Sequence, residues 1–316
     1  MTAFLLRRVV GLALTMLALS ALVFLLLEFT PGSVATKVLG PYSSDEQRRL
    51  WLEAHGYFEP LWRRYAVWLG NVLQGDFGES IRFRAPVGDV LWPRLLNTAI
   101  LGGVTFAIMV PVALALGVLA GMREGSGLDR GISIFSVAAT SVPEYASAVV
   151  LAAIFVFWLG WLPGTSPMTD GFAVRELVLP VAVLVLYDVG YIARLTRASM
   201  AEVMTQPYIR AARLKGLSFR RIVLGHALRN ALIAPFTVIM LQVNWLLSGV
   251  IAVEFFFAYK GFGALLLEAA LNQDVHLIEA CTLVAVAVAV TTQTIADVAY
   301  AFLNPRLRVA PDGGAS

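Results

Sequence analysis

Three lysines, three histidines and one cysteine are the side chains from which phosphate binding, metal binding or nucleophilic chemistry would have to be built, and their spacing builds none of these. Lys37, Lys215 and Lys260 are not followed by Ser or Thr, so no Walker A loop is present to cradle a nucleotide phosphate. His55, His226 and His276 are scattered and form neither an HExxH motif nor any other metal-spaced pair. No G-x-S-x-G elbow occurs. Cys281 excludes an internal disulfide and a cysteine-rich metal site; at the start of an apolar run it reads as a small core residue. What remains is the chemistry of polar groups set among apolar ones, and of a basic surface.

The polar groups in question are Glu144 and Tyr145 after Pro143, then Tyr187 and Asp188, then Gln242, Asn244 and Ser248, and lastly Asp297. Each lies within an apolar run. If those runs cross a bilayer, such groups are expensive and face a cavity or a partner. Taken singly, each reads more readily as polar packing between helices, or for Asp188 and Asp297 as a residue near the cytoplasmic interface. Gln242 and Asn244 lie near the middle of their run and are the leading candidates for a solute pathway, with Ser248 and Glu144 beside them.

The runs are long enough to cross. Of 316 residues, 59% are hydrophobic and 14% charged, against about a quarter charged in a typical soluble domain. A helix needs about 20 apolar residues to span the hydrocarbon core, and its backbone must satisfy its own hydrogen bonds there. The fold class expected is an all-α integral membrane protein with about six spans: Val9–Phe29, Thr98–Ala120, Gly131–Leu159, Leu177–Ala193, Asn230–Val253 and Cys281–Leu303. The first follows Arg7 and Arg8 but exceeds a signal-peptide core and has no A-x-A site after it, so it reads as an uncleaved helix. The divisions expected are 1–30 as N-terminus and first span, 31–97 as a polar loop with short helices, 98–305 as a five-span core and 306–316 as a tail. In the loop, Ser44-Asp45-Glu46 is a helix start and Leu61–Leu73 an amphipathic segment. Trp51, Trp62, Trp68 and Trp92 suit a membrane interface, the other reading being a ligand-binding aromatic patch.

The net charge of +3 could suggest nucleic acid, but the basic residues flank the apolar runs as cytoplasmic loops do, and both termini are placed on that side. The densest stretch is 194–229. Within it, Tyr208 to Leu217 has helical period, Arg210, Arg213 and Lys215 supply charge, and Gly216 is a natural stop before a restart near Ser218. A short helix joined to spans on both sides is a lever; a basic helix resting on anionic lipid is the alternative.

The order of residues favours the lever. Arg210-Ala211-Ala212, then Gly216, then His226-Ala227-Leu228 resembles the EAA loop of ABC importer permeases, with Arg210 in place of the leading acid. That arginine form is similar to the dipeptide/oligopeptide/nickel permease family, whose loop reads Y-[IV]-R-T-A-x-A-K-G-L followed by H-x-L-R-N. Here Ala211 replaces the threonine and Arg213-Leu214 is unusual, while Lys215-Gly216-Leu217 and His226 to Asn230 are kept. Further matches run along the chain, including Arg7-Arg8, Pro31-Gly32, Gly75 to Ser80, Val253-Glu254 and Gly261-Phe262-Gly263. Asn304-Pro305-Arg306 departs from the usual D-P-R, and His55 to Glu59 from the usual L-G-L-D.

The resemblance implies a type I ABC importer permease in the bacterial inner membrane, non-catalytic, with no cofactor of its own. It implies as partners a second homologous permease, two ATPase subunits that hold ATP and Mg, and an extracytoplasmic solute-binding protein, with no role for nucleic acid. Tyr208, Arg210, Ala211, Ala212, Lys215, Gly216 and Leu217 would couple to the ATPase. Glu254, Gly261 and Gly263 would face the binding protein, although an ordinary interfacial acid explains Glu254 as well. Peptide is the cargo favoured; nickel is less so because the expected spans lack histidine, and opines, glutathione and sugars stay open. An ion-gradient carrier is the alternative class, for which the prolines show no matched placement in two halves.

Overall fold

The computed structural model describes residues 2–28, 34–40, 42–168 and 173–303, apart from the side chains of 2–8, 27, 34, 37, 243–249, 297 and 299–303. Pro31, Gly32 and the 304–316 tail lie outside the described residues, as do the side chains of Arg7, Arg8, Asn244, Ser248 and Asp297. The described residues are mainly helical, with among them a single two-residue antiparallel pair, β1 (Glu79–Ser80) and β2 (Ala85–Pro86). It divides into two compact units, residues 1–97 with 261–294 and residues 98–260 with 295–316.

In the first unit α1 (Thr2–Glu28) leads to α2 (Val34–Leu39), α3 (Asp45–Ala54) and α4 (Leu61–Leu73). Ser44 caps α3 as expected, in a capping box: its hydroxyl accepts from the Gln47 N–H while the Gln47 side chain accepts from the Ser44 N–H. Two cross-links hold α4 against α1. The Arg64 guanidinium donates to both oxygens of Glu28 at 2.5 and 2.6 Å, and the Ser20 hydroxyl lies 2.7 Å from that of Tyr65. The buried Asp274 accepts from the Ser80 hydroxyl (2.6 Å) and the Arg82 N–H (3.0 Å), fixing the β1–β2 turn.

The next helix, α5, runs from Val87 to Gly121 and contributes to both units. It begins at Val87 rather than at Thr98: Asp89 suits its first turn, and the helix runs on through Pro93 into the apolar stretch. At 1.5 Å per residue it is about 52 Å long, well over the ~30 Å hydrocarbon core. In the second unit come α6 (Gly127–Ser141), α7 (Glu144–Ala152), which continues into a π-helical turn at Ala153–Trp158, and α8 (Val174–Met204). The expected third span is not one straight helix. Val142 is extended and Pro143 opens α7, so α6 and the α7 segment are bent by 103°. Proline lacks the N–H the helix needs and disfavours helical geometry in the residue before it.

The fourth span also outruns its expected end at Ala193, since α8 continues without interruption to Met204. Then follow α9 (Pro207–Leu214), α10 (Phe219–Ile222), a π-helical turn (Val223–Ala227), α11 (Leu228–Ala231) and α12 (Ile233–Phe256). The first unit resumes with α13 (Phe262–Leu271) and with α14, which spans Val275–Leu303, starts upstream of the expected Cys281 and contributes to the second unit from Ile295. His276 therefore falls in its first turn, and the expectation of histidine-free spans does not hold. Among the described residues four helices (α1, α5, α8 and α14) are long and apolar enough to cross a membrane, or up to six if each of two bent pairs is one span.

The second unit is organised on α8. Leu179, Val183 and Leu184 pack in one cluster with Leu101, Val253 and Phe257. A Cβ on Gly117 would collide with the Thr196 side chain, and one on Gly121 would lie 2.6 Å from the Arg197 carbonyl oxygen. The GxxxG spacing of these two glycines lets α5 and α8 meet backbone to backbone, the route to tight packing where lipid supplies no hydrophobic drive. Gly121→Ala is expected to lower unfolding free energy by about 1–3 kcal/mol through overpacking. Gly103→Ala, on the same helix with nothing within 4 Å of its added carbon, should be neutral or stabilising. Thermal unfolding of the two variants in detergent checks this; equal stability would show that the seam does not need the glycine.

Candidate coupling surface and pathway residues

The elbow between α8 and α12 is built from its turns. Gln206 is extended, and Pro207 occupies the first helical position of α9, where a missing N–H costs nothing. At the far end Gly216 has φ +76°, with the Leu217 N–H bonded to the Ala212 carbonyl at 3.3 Å. A Cβ at Gly216 would meet open space, so the demand on this residue is a backbone one. Ile209 and Ala212 point inward and pack with Met200, Ile222, Val223 and Ala227. The Tyr208 hydroxyl accepts from Asn230 Nδ2 at 3.0 Å, tying α9 to α11.

The outward face carries Arg210, Ala211, Arg213, Leu214, Lys215 and Gly216, all exposed. Arg220 and Arg221 extend the charge, and no ion pair neutralises this set among the described residues. Leu214 is 82% exposed, and Phe219 and Leu224 are also prominent. The face thus combines positive charge with apolar knobs. Of the seven residues expected to couple, Ala212 is a buried support, Leu217 is half-buried, and the other five are presented outward.

Behind the elbow the helices are locked. Asp129, 3% exposed near the start of α6, accepts from Arg197 Nε at 2.5 Å and Nη2 at 2.8 Å, and from the Gly125 N–H. Glu124 adds a second, looser contact to Arg197 at 3.7 Å. Sequence reading passed over Asp129; the usable signal was the acid three residues after Ser126, whose side chain caps α6.

Farther along α8, Gln242 donates to Asp188 at 2.5 Å, and both are buried. The expected pathway residue Gln242 is thus hydrogen-bonded to Asp188 on α8 in this structure. Glu144 is half-buried in the first turn of α7. Asn244 and Ser248 lie on α12, but their side chains are outside the described residues. Glu254 has no exposed surface and accepts from the Thr98 hydroxyl at 2.5 Å; Gly261 and Gly263 are buried too. All three are thus buried in this chain, while the neighbouring Phe255, 62% exposed, and Phe256 are exposed. Among the described residues no group of His, Cys, Asp and Glu side chains is placed to hold a metal.

Long apolar helices joined through a basic, knobbed elbow define a polytopic membrane subunit of a transport system. The chain belongs to the family of binding-protein-dependent transport system inner membrane components, which matches residues 113–309, and its N-terminal counterpart matches residues 1–91. Among similar proteins are the oligopeptide transport system permease protein AppB of Bacillus subtilis, 32% identical over 97% of this chain and 99% of the relative, and the di/tripeptide transport system permease protein DppB of Pseudomonas aeruginosa, 33% identical over 98% and 99%. The glutathione transport system permease protein GsiC of Escherichia coli is 33% identical over 96% and 98%. The chain is the permease subunit of an ABC importer, and the ion-gradient reading is set aside.

Gln242→Leu leaves the Asp188 carboxylate buried without its donor and is expected to cost about 2 kcal/mol of stability. With Asp188→Leu added, the combined loss should fall short of the sum of the single losses, as for coupled neighbours. Chemical unfolding in micelles, followed by tryptophan fluorescence, gives the cycle; strict additivity would mean that the pair is not coupled.

Proposed function

We propose that this chain forms half of the translocation channel of an importer for peptides or a similar small solute. The cargo class is drawn from relatives named for oligopeptides, di/tripeptides and glutathione. Its partners are a second homologous permease, two ATPase subunits carrying ATP and Mg, and an extracytoplasmic solute-binding protein, in the inner membrane of a bacterium. The chain itself hydrolyses nothing and needs no cofactor. Both termini are cytoplasmic, residues 31–97 extracytoplasmic, 98–305 the permease core and 306–316 a cytoplasmic tail.

The observation that carries the reading is the elbow: α9 is braced on its inner side by Ile209 and Ala212 and presents Arg210, Arg213, Leu214 and Lys215 outward. That face suits a groove with acidic rims and an apolar floor on the ATPase. Closure of the ATPase pair would pull α9, and α8 would carry the displacement into the bilayer. The groove contact need bias a two-state bundle by only about 5 kcal/mol to switch it almost completely. Glu144, Gln242, Asn244 and Ser248 remain the pathway candidates, with the Asp188–Gln242 contact broken or kept according to the state of the channel. On the external side Glu254 holds the end of α12 so that Phe255 and Phe256 meet the binding protein, with Gly261 and Gly263 shaping the turn that follows.

Gly216 provides the test. Gly216→Val forces a β-branched residue into positive φ, whereas Gly216→Asn tolerates it. In the reconstituted importer the valine variant should keep ATPase activity and lose at least about 90% of uptake, an order-of-magnitude expectation for a barrier raised by the ~1–3 kcal/mol of local strain. The asparagine variant should transport nearly as the parent does. Coupled uptake in Gly216→Val would remove the elbow from the mechanism.

A further inference from the structure

A cavity of about 390 Å³ lies in the first unit, between the end of α1, the α3–α4 region and the first turn of α14. Its wall is aromatic. Phe24, Trp51, Tyr57 and Trp68 all line it, with Phe24 to Trp68 and Trp51 to Tyr57 ring centroids 5.5 and 5.6 Å apart. The two tryptophans that sequence alone left between a membrane interface and a ligand patch are thus brought to one site.

Its permanent charges do not balance. Glu28, Glu59 and Glu279 line it against Arg63 and Arg64, with the titratable His276 beside Glu279. Arg64 takes both oxygens of Glu28, and Arg63 pairs with Glu59 at 2.9 Å. Glu279 has no arginine or lysine partner among the described residues and is 8% exposed. Its Oε2 accepts from Trp68 Nε1 at 3.1 Å and lies 3.8 Å from His276 Nδ1, while Oε1 accepts no hydrogen bond from the described residues. A buried carboxylate with one oxygen open to a cavity calls for a cationic donor.

The cavity already favours cations. The Arg64 guanidinium sits 4.3 Å from the centroid of the Tyr57 ring. Burial raises the Tyr57 phenol above its ordinary value and the Glu279 carboxylate pushes the same way, as a negative potential requires.

We propose that this cavity binds a primary ammonium group, with Glu279 as its counter-charge and hydrogen-bond acceptor and Trp51, Tyr57 and Trp68 as its aromatic wall. One free oxygen suits a point donor; a guanidinium fork would want two, as Arg64 takes on Glu28. Two sources carry such a group: the amino terminus of a short peptide, and the ethanolamine headgroup of a phospholipid beside α1. The site does not depend on the coupling reading, because binding is measured on the chain without ATPase subunits.

The test titrates the full-length chain in maltoside micelles with ethylammonium chloride, following tryptophan fluorescence against potassium chloride at equal ionic strength. A saturable response specific to ethylammonium is expected, weakened at least about tenfold in Glu279→Gln, which keeps an oxygen for Trp68, and unchanged in Trp62→Phe on the exposed side of α4. Should Glu279→Gln fail to fold, Trp51→Leu decides and must weaken the same response. Displacement by alanyl-alaninamide, but not by its N-acetyl form, assigns the peptide source. Displacement by phosphatidylethanolamine, but not by phosphatidylcholine, assigns the lipid. A response shared with potassium chloride, one indifferent to the deciding variant, or one displaced by neither competitor overturns the site.

Discussion

The structure of the permease core depends on the continuity of α8. One uninterrupted helix from Val174 to Met204 joins the apolar interior to the basic elbow, about 46 Å at the standard rise. A rod transmits displacement only if it cannot slide or twist against its supports. Two features prevent this: the backbone contact at Gly117 and Gly121, and the two-pronged bond of Arg197 to Asp129. The first fixes the distance to α5. The second fixes rotation relative to α6, because both oxygens of one carboxylate are used.

The polar residues of the chain follow a common rule. Asp129 with Arg197, Asp188 with Gln242 and Glu254 with Thr98 each join two helices of the second unit; Glu28 with Arg64 does the same in the first, where Asp274 also ties the β1–β2 turn to the start of α14. In a soluble core, apolar burial would hold helices together. In lipid the helix exterior is equally content against acyl chains, so close packing and polar pairs must set register instead. This also accounts for chemically conspicuous residues such as Asp188 being structural ones: an acid placed there specifies which turn of α12 faces α8.

Much of this was legible in the chain. Ser44 and the 61–73 segment announced their helices, and Gly216 marked the far end of α9, because caps and turns depend on residues a few positions apart. Helix ends were harder. The upstream end of α5 and the downstream end of α8 lie in polar sequence, where hydropathy falls while helix formation continues, so apolar length underestimates both. The bend at Pro143 was visible as a proline but not as a 103° break, because its angle is set by what α7 packs on. Least legible were the partners of Asp129, Glu254 and Glu279, which lie 68, 156 and 211 residues away along the chain. The family pattern pointed to Glu254 as a contact, and only the fold shows that its side chain is spent on Thr98.

The same accounting explains why the elbow, of all basic segments, is suited to outside work. Elsewhere Arg64 and Arg197 are fully engaged and Arg175 closes onto the Trp161 carbonyl. On α9 and α10 five basic side chains and Leu214 are presented outward, while the helix beneath them is braced by Ile209, Ala212 and the Tyr208–Asn230 bond. A surface with rigid backing and unspent charge loses little order when a partner arrives, so most of the contact energy is available to move it. Along α8 the helical hydrogen bonding is interrupted only at Pro180, near the far end. Were α9 pulled, the stretch from 181 to 204 would move together with α5 and α6, to which Gly117, Gly121 and Asp129 hold it, and any bending of α8 would fall at Pro180.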